Sequence, residues 1–330
     1  MPPFDAGTAA ASSCRPMELQ QGRVTANGVD FAYLEAGPPA GPLVLCLHGF
    51  PDHAPTWRHL LPELAAAGFH AVAPWMRGYH PSGLAPDGRY QSATLALDAL
   101  ALLEALGVDG RGDVVGHDWG AVAACGAAIL EPGRVGHLAS LALPHPAVLG
   151  PRLIGDWEQR KRSWYMWFFQ LPVIPEMVVE GDDFIVIEKL WRDWSPSYQP
   201  DAEDMARLKA TLGAPGTLEA ALSYYRHTFD LTRQADELAA AQADVNGGRI
   251  SAPALFLAGY EDGCVEPDFD EQSLDLCDGP AAVEVVHHCG HFLHLEQPER
   301  VNARILALLR DELFGGEERS LMGERARVPR

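Results

Sequence analysis

The chain has 330 residues, of which 47% are hydrophobic and 21% are charged, and its formal net charge is −20. This length and composition are those of an ordinary globular protein with one large α/β domain or at most two domains, which needs no disulfide or metal to fold. The acidic surface argues against nucleic acid and acidic membranes as partners, because both are negatively charged.

Residues 1–20 lack the basic and apolar segments of a signal peptide, and residues 1–21 are predicted to form a flexible tail. No apolar run approaches the roughly 18 residues of a membrane-spanning helix. The chain has 6 cysteines, which are scattered and form no CxxC pair, and this pattern favours free thiols in a reducing compartment. We therefore expect a cytoplasmic protein.

The predicted elements begin with two strands joined at Asn27-Gly28, a dipeptide typical of tight hairpin turns. The apolar run Leu43–Leu47 predicts a buried central strand, and His48-Gly49-Phe50-Pro51 follows it. Strand and helix patterns then alternate, which predicts a mostly parallel sheet flanked by helices. Helical patterns cover residues 57–67, 93–106 and 120–130, and strand patterns cover residues 69–75, 113–118 and 135–143.

The alternation stops near residue 150 and resumes near residue 247. Residues 150–246 have helical, aromatic-rich patterns without clear strands, and they are predicted to form an inserted helical cap domain. The α/β core domain is predicted at residues 22–149 and 247–315, and residues 316–330 are predicted to form a second flexible tail. The later core patterns are strands at residues 254–262 and 281–288 and a final helix at residues 298–313.

The segment Gly116-His117-Asp118-Trp119-Gly120 lies between an apolar strand pattern and a helix of small residues. This is the setting of a nucleophile elbow, G-x-Nu-x-G, whose tight turn holds the central side chain at the carboxyl end of the sheet. The amide groups that begin the following helix would keep a carboxylate there ionised. Asp118 could therefore attack a saturated carbon and form an alkyl ester. The alternative is that Asp118 only caps the helix.

Hydrolysis of such an ester needs a base that activates water and an acid that orients the base. Asp262 ends the strand pattern at residues 254–262, and His291 follows the last strand pattern, directly after Gly290. The chain order Asp118, Asp262, His291 is the order of nucleophile, acid and histidine expected with this elbow. The alternatives that remain are Glu261 and Asp268 as the acid, and His287, His288 and His294 as the base.

An oxyanion hole is predicted from two backbone N–H groups. One belongs to Phe50, after the first central strand, and the other to Trp119, after the nucleophile. The histidines near His291 match no zinc-binding spacing, so no metal is predicted.

The HGFP loop, the GHDWG elbow, the RGY sequence at residues 77–79 and Gly290-His291 together resemble the α/β-hydrolase-fold epoxide hydrolases, of the soluble epoxide hydrolase type, over residues 24–313. The resemblance implies the α/β-hydrolase fold, with a mostly parallel central sheet flanked by helices and an inserted helical cap domain. It implies conversion of an epoxide to a vicinal diol without a cofactor. The expected partners are a small, mostly apolar epoxide and water, and a homodimer is left open.

In this family two cap tyrosines bind the epoxide oxygen and protonate it as the ring opens. Tyr165 in YMWFFQLP and Tyr225 in LSYYR stand in segments similar to those of the family tyrosines, with Tyr224 as the alternative to the second. A phenol with a pKa of about 10 keeps its proton at neutral pH and can transfer it to an alkoxide. Packing of the cap would also explain such aromatic residues. The residues expected to contact the substrate are Phe50, Trp119 and Trp167.

A haloalkane dehalogenase would use the same nucleophile, acid and base, and it would bind the departing halide through two N–H donors. Trp119 satisfies the first position, but the second is often Asn directly after His-Gly, where this chain has Phe50. Trp164 or Trp167 would then have to supply the second donor. A third hypothesis is a hydrolase-fold binding protein without catalysis, in which Asp118 would be dispensable.

Overall fold

The computed structural model describes residues 19–314 of the chain. The predicted tails, residues 1–21 and 316–330, lie outside this range except for residues 19–21, of which residues 20 and 21 belong to the first strand. Within the described range, eight strands form one sheet with the order β1-β2-β4-β3-β5-β6-β7-β8. The strands are β1 (Gln20–Ala26), β2 (Val29–Ala36), β3 (Leu43–Leu47), β4 (His70–Pro74), β5 (Gly112–His117), β6 (Val135–Leu141), β7 (Ala254–Gly259) and β8 (Ala281–Val286).

The sheet is antiparallel at one edge and parallel through the rest of the described strands. β1 and β2 form a hairpin, β2 runs antiparallel to β4, and the pairings from β4 through β3 to β8 are parallel. The hairpin turn lies at Asn27 and Gly28, whose φ angles of 44° and 76° are the left-handed values that Asn and Gly tolerate best. The predicted hairpin and mostly parallel sheet are confirmed.

The centre of the sheet consists of apolar runs that are covered on both faces. Every residue of β3, β4 and β7 is buried, as expected for parallel strands with helices on both sides. Because parallel strands end at the same edge of a sheet, the loops that follow β3, β5, β7 and β8 meet at their carboxyl ends. This edge therefore collects the residues predicted to carry the chemistry.

Helices flank the sheet and fill the interval between β6 and β7. None of those within residues 19–314 has the length and apolar character needed to cross a membrane. The predicted last helix, residues 298–313, ends earlier, at Leu309. The helices are α1 (Leu60–Ala66), α2 (Ser92–Leu106), α3 (Trp119–Leu130), α4 (Pro146–Gly155), α5 (Trp157–Arg162), α6 (Trp164–Phe168), α7 (Ile174–Trp194), α8 (Ala202–Leu212), α9 (Thr217–Phe229), α10 (Ala239–Gly247), α11 (Asp270–Ser273), α12 (Leu293–Glu296) and α13 (Pro298–Leu309).

The chain between β6 and β7 contains α4 to α10 and no named strand within the described residues, in line with the helical pattern of residues 150–246. α7 is interrupted at residues 182–184, where positive φ angles break the helix. The last helix of the interval, α10, packs on the core, because its Val245 clusters with Ala93 and Ala96 of α2.

A buried ion pair joins the loop after β4 to α2. Arg77 donates from Nε and Nη2 to the two carboxylate oxygens of Asp98, each at 2.6 Å. This two-bond geometry offsets the cost of removing both charges from water. The carbonyl oxygen of Arg77 accepts a further hydrogen bond from the Tyr224 hydroxyl of α9 at 2.7 Å. The RGY sequence thus attaches the inserted helices to the core.

Candidate active site

Asp118 lies in a sharp turn between β5 and α3, with φ 53° and ψ −121°. Such angles are rare for a residue other than glycine, and they hold the side chain out at the carboxyl end of the strand. The flanking glycines leave no room for a side chain. A Cβ on Gly116 would lie 2.2 Å from the carbonyl oxygen of Gly120, and one on Gly120 would lie 2.0 Å from that of Leu47. The turn therefore has the geometry predicted for an elbow.

The Asp118 carboxylate is buried, and its two oxygens have different neighbours. Oδ1 accepts a hydrogen bond from the backbone N–H of Phe50 at 2.7 Å. Oδ2 lies 3.7 Å from Nε2 of His291. Trp119 lines the adjoining cavity, but within the described chain its backbone N–H forms no hydrogen bond with Asp118. Of the two predicted oxyanion-hole donors, Phe50 contacts the carboxylate and Trp119 lies beside it.

His291 and Asp262 form a buried pair next to Asp118. Nδ1 of His291 donates to Oδ2 of Asp262 at 2.9 Å. The other oxygen of Asp262 accepts hydrogen bonds from the backbone N–H groups of Cys264 at 2.6 Å and Val265 at 3.0 Å. These bonds fix the acid in its own turn and leave Nε2 of His291 directed at Asp118. The residues predicted as nucleophile, acid and base are thus brought together.

The other acids and histidines that the sequence left open stand apart from this group. Within the described residues none of them hydrogen-bonds to Asp118 or His291. Most lie at or near the surface, whereas His294 is buried and its Nε2 pairs with the Thr56 hydroxyl at 2.6 Å. The residues concerned are Glu261, Asp268, His287, His288 and His294.

The charge of His291 is set by opposing effects. Burial alone would lower its pKa, but the carboxylates of Asp262 and Asp118 raise that pKa to about 10. The imidazole therefore carries a proton at neutral pH while both carboxylates face it. Because one of the two carboxylates is Asp118, any reaction that neutralises Asp118 would lower the pKa of His291.

A cavity of about 130 Å³ adjoins Asp118 and is lined by both the core and the inserted helices. Asp118 and Trp119 come from the elbow, Tyr165 from α6 and Tyr225 from α9. The remaining lining is mostly apolar, as in many sites for small molecules. The Phe50 ring, which was expected to contact the substrate, packs instead against Tyr225 at 5.5 Å between centroids and is not part of the lining.

The hydroxyl groups of Tyr165 and Tyr225 have different surroundings. The two rings are 5.7 Å apart between centroids and nearly perpendicular. The Tyr225 hydroxyl is buried beside the Trp119 side chain and forms no hydrogen bond of normal geometry with a described residue, whereas the Tyr165 hydroxyl lies 3.3 Å from Sγ of Cys264. Burial raises the pKa of both phenols well above its usual value, so both retain protons that they can donate. The alternative, Tyr224, is hydrogen-bonded to the carbonyl oxygen of Arg77.

Contrary to the expected contact with substrate, Trp167 is not among the described residues that line the cavity. Its side chain is 39% exposed, and its ring packs 4.7 Å from that of Phe229. Residues two apart in a helix point to different sides, so Tyr165 and Trp167 cannot both face the cavity. Trp164 is 44% exposed, which leaves Trp119 as the one tryptophan among the described lining residues. Neither Trp164 nor Trp167, the two candidates for a second halide donor, is among the described residues that line the cavity.

A second buried polar cluster lies behind the base and consists of Asp52, His117 and His294, whose possible ligand atoms lie within 4.8 Å of one another. Nε2 of His117 donates to the backbone carbonyl oxygen of His291 at 3.0 Å, which fixes the loop that carries the base. Burial raises the pKa of Asp52 to about 7 and lowers the pKa of both cluster histidines. The other described group with metal-ligating residue types is Asp262, Cys264 and His291.

Sequence reasoning missed two residues that shape the site. Cys264 follows Asp262 in the turn after β7 and lines the cavity. Its position at the carboxyl edge of the sheet was a usable signal, because residues that follow strand ends at this edge meet the ligand. Gln159 of α5 donates to the carbonyl oxygen of Cys264 at 2.9 Å, and nothing in its sequence neighbourhood marks it.

Comparison with known proteins gives a consistent set of relatives. A family model described as alpha/beta hydrolase fold matches residues 42–298. Epoxide hydrolase A of Mycobacterium tuberculosis is 31% identical over 310 residues, which cover 87% of this chain and 96% of that protein. Epoxide hydrolase 4 of Mus musculus is 29% identical over 296 residues, which cover 88% of this chain and 79% of that protein.

Two solved structures with folds similar to this one are also named epoxide hydrolases. Epoxide hydrolase A of Mycobacterium thermoresistibile aligns with a TM-score of 0.72 and 28% identity, covering 89% of this chain and 98% of that one. An epoxide hydrolase of Bacillus megaterium, solved with an inhibitor, aligns with a TM-score of 0.75 and 27% identity, covering 88% of this chain and 100% of that one. The similarity extends across the core and the inserted helices.

Proposed function

The chain belongs to the α/β-hydrolase-fold family and is a hydrolase of the epoxide hydrolase type, and from that premise we propose that it converts a small, mostly apolar epoxide into a vicinal diol through a covalent ester on Asp118. The observation that carries the proposal is the meeting of Asp118, Tyr165 and Tyr225 in one cavity. Ring opening needs a nucleophile for carbon and a proton donor for oxygen, and these side chains offer both.

In the first half-reaction, Oδ2 of Asp118 attacks an epoxide carbon. Oδ1 is already held by the N–H of Phe50, which leaves Oδ2 as the attacking atom. The bond between that carbon and the epoxide oxygen breaks, and the oxygen takes a proton from Tyr165 or Tyr225. The imidazolium proton of His291 replaces the one that the tyrosine gives up. An alkyl ester of Asp118 and a neutral histidine result.

In the second half-reaction, the neutral His291 acts as a base. Esterification removes the charge of Asp118, one of the two that raise the pKa of His291, while Asp262 still orients the ring. His291 takes a proton from water as the water attacks the ester carbonyl carbon. The negative oxygen that forms is Oδ1, beside the N–H of Phe50. Collapse of this intermediate releases the diol and restores the carboxylate and the imidazolium.

The first experiment measures diol formation from styrene oxide and from a long-chain aliphatic epoxide, together with halide release from 1-bromobutane. Asp118→Asn is the matched control, because it keeps the shape of the side chain without the anionic nucleophile. We expect diol without halide from the natural chain, and neither product from the variant. Halide without diol would replace the proposal with haloalkane dehalogenation. Ligand binding without turnover would replace it with a non-catalytic binding protein.

A second experiment tests the covalent step with His291→Gln. This variant should form the ester but hydrolyse it slowly, so the intact protein mass should rise by the mass of one epoxide. Asp118→Asn should show no such increase under the same conditions. Steady turnover by His291→Gln would show that another group activates the water.

A further inference from the structure

Cys264 brings a thiol into the cavity where the turn of the acid meets the inserted helices. Its side chain is 1% exposed and lines the cavity together with Asp118. Its Sγ lies 3.3 Å from the hydroxyl oxygen of Tyr165, within hydrogen-bonding distance for sulfur. Among the described residues, this thiol is the one hydrogen-bond partner of that hydroxyl. Tyr165, a proton donor of the proposed reaction, is thus in contact with the Cys264 thiol, which has no role in the two half-reactions.

The position of the thiol is fixed from two sides. The backbone N–H of Cys264 donates to Oδ1 of Asp262 at 2.6 Å. Its carbonyl oxygen accepts a hydrogen bond from Nε2 of Gln159 at 2.9 Å, and Oε1 of Gln159 accepts one from the N–H of Glu266 at 3.0 Å. Gln159 is fully buried. The turn after the acid is therefore bound to α5, and the backbone that carries the thiol is held beside Tyr165.

The hydrogen bond between Cys264 and Tyr165 can be donated by either group, because both the thiol and the phenol keep their protons. Burial, together with the charges of Asp262 and Asp118, raises the pKa of Cys264 well above its usual value. A protonated thiol is a donor, though a weak one, and the phenolic oxygen can accept from it. A phenol that accepts from Cys264 keeps its own O–H for another partner. A phenol that donates to the sulfur has its O–H engaged with a weak acceptor.

We propose that Cys264 is a positioning residue for Tyr165, whose phenolic proton it directs toward the epoxide oxygen by donating its S–H to the phenolic oxygen. This inference rests on the proposed function, because it concerns the same ring opening. Tyr225 lines the same cavity, and its buried hydroxyl lies beside the Trp119 side chain and forms no hydrogen bond with the thiol. The two tyrosines are therefore unequal, and Cys264 acts through Tyr165.

Two double-mutant cycles test this inference, with kcat/KM for diol formation from styrene oxide as the readout. Cys264→Ala should lower kcat/KM about three- to tenfold, the effect of losing one weak hydrogen bond. Cys264→Ser keeps a donor in a side chain of similar size and should stay within about twofold of the natural chain. In a Tyr165→Phe background Cys264→Ala should have no further effect, whereas in a Tyr225→Phe background its full effect should persist.

A packing role would give a different pattern. Equal losses from Cys264→Ala in both tyrosine backgrounds, or a serine variant no better than the alanine variant, would overturn the inference. Cys264→Val fills the space without a donor, and it replaces Cys264→Ala in both cycles if the alanine variant does not fold. Failure of the natural chain to form any diol would overturn the proposed function itself, and this result is distinct from diol formation without coupling between Cys264 and Tyr165.

Discussion

Tyr224 and Tyr225 are adjacent residues of α9 with different hydrogen bonding. The hydroxyl of Tyr224 donates to the carbonyl oxygen of Arg77 at 2.7 Å and so ties the inserted helices to the core. The hydroxyl of Tyr225 is buried at the cavity and forms no hydrogen bond of normal geometry with a described residue. A buried hydroxyl without such a bond costs stability, and a ligand that accepts its hydrogen bond would recover that cost.

Replacing each tyrosine with phenylalanine should separate the two roles. Tyr225→Phe should lower kcat/KM for an epoxide about 10- to 100-fold, because one proton donor is lost while Tyr165 remains. Its free energy of unfolding should stay equal or rise. Tyr224→Phe is the matched control, and it should lose about 1 kcal/mol of unfolding free energy with little change in kcat/KM. Diol assays and urea unfolding measure both quantities, and the reverse pattern would assign the catalytic role to Tyr224.

The pKa of His291 should respond to the charge of Asp118. Burial opposes protonation, and the carboxylates of Asp262 and Asp118 raise the pKa to about 10. Asp118→Asn removes one negative neighbour, as esterification would, so the pKa of His291 should fall. NMR titration of the imidazole protons measures this shift. His137 is the internal control, because a hydrogen bond with Asp113 raises its pKa to about 9 and neither group contacts the elbow. An unchanged His291 titration would contradict the proposed switch from acid to base.

Among the elements, the connection from β5 to α3 has little tolerance for change. A Cβ on Gly120 would lie 2.0 Å from the carbonyl oxygen of Leu47, so Gly120→Ala should cost about 2–4 kcal/mol of unfolding free energy. Gly133, in the turn between α3 and β6, has no atom within 4 Å of an added Cβ, and Gly133→Ala should stay within about 0.5 kcal/mol. Urea unfolding of the two variants gives the comparison. Similar stabilities would mean that the elbow relaxes more easily than its close contacts indicate.

Elements that depend on a local pattern could be predicted from the sequence. β3 coincides with the run LVLCL, because a strand covered on both faces needs apolar residues throughout. The orientation of a short helix is not a local property. α6 could turn either Tyr165 or Trp167 toward the cavity, and packing of Trp167 against Phe229 of α9 decides between them. The interruption of α7 does have a local signal in Gly181-Asp182-Asp183, because glycine weakens a helix and aspartate tolerates positive φ.

Across the whole molecule, the site is assembled from segments far apart in the chain. Their meeting could be predicted, because parallel strands end at one edge and the chain order of nucleophile, acid and histidine is characteristic. Contacts between the insertion and the core could not be predicted in the same way. The pairing of Cys264 with Tyr165 and the bond from Gln159 depend on how the inserted helices pack on the turn after β7.

Net charge is a property of the whole chain. The chain has 45 acidic and 25 basic residues, giving a formal net charge of −20. Exposed ion pairs such as Lys189–Asp193 and Arg249–Asp278 are present, but each such pair contributes only about 0–1 kcal/mol. The unpaired excess of negative charge repels itself in the compact state and favours unfolding. When salt is added, the stability gained from weaker repulsion should therefore exceed the stability lost from weaker exposed ion pairs.

Raising sodium chloride from about 10 mM to about 300 mM shortens the Debye length several-fold and should screen this repulsion. We expect the melting temperature to rise by about 1–2 °C, the shift that roughly 1 kcal/mol produces in a domain of this size. Potassium chloride should act alike, since screening depends on ionic strength. KM for a neutral epoxide should stay constant over the same range, because an uncharged substrate is not steered by the field. A melting temperature that falls with salt would mean that the exposed ion pairs contribute more to stability than the net repulsion removes.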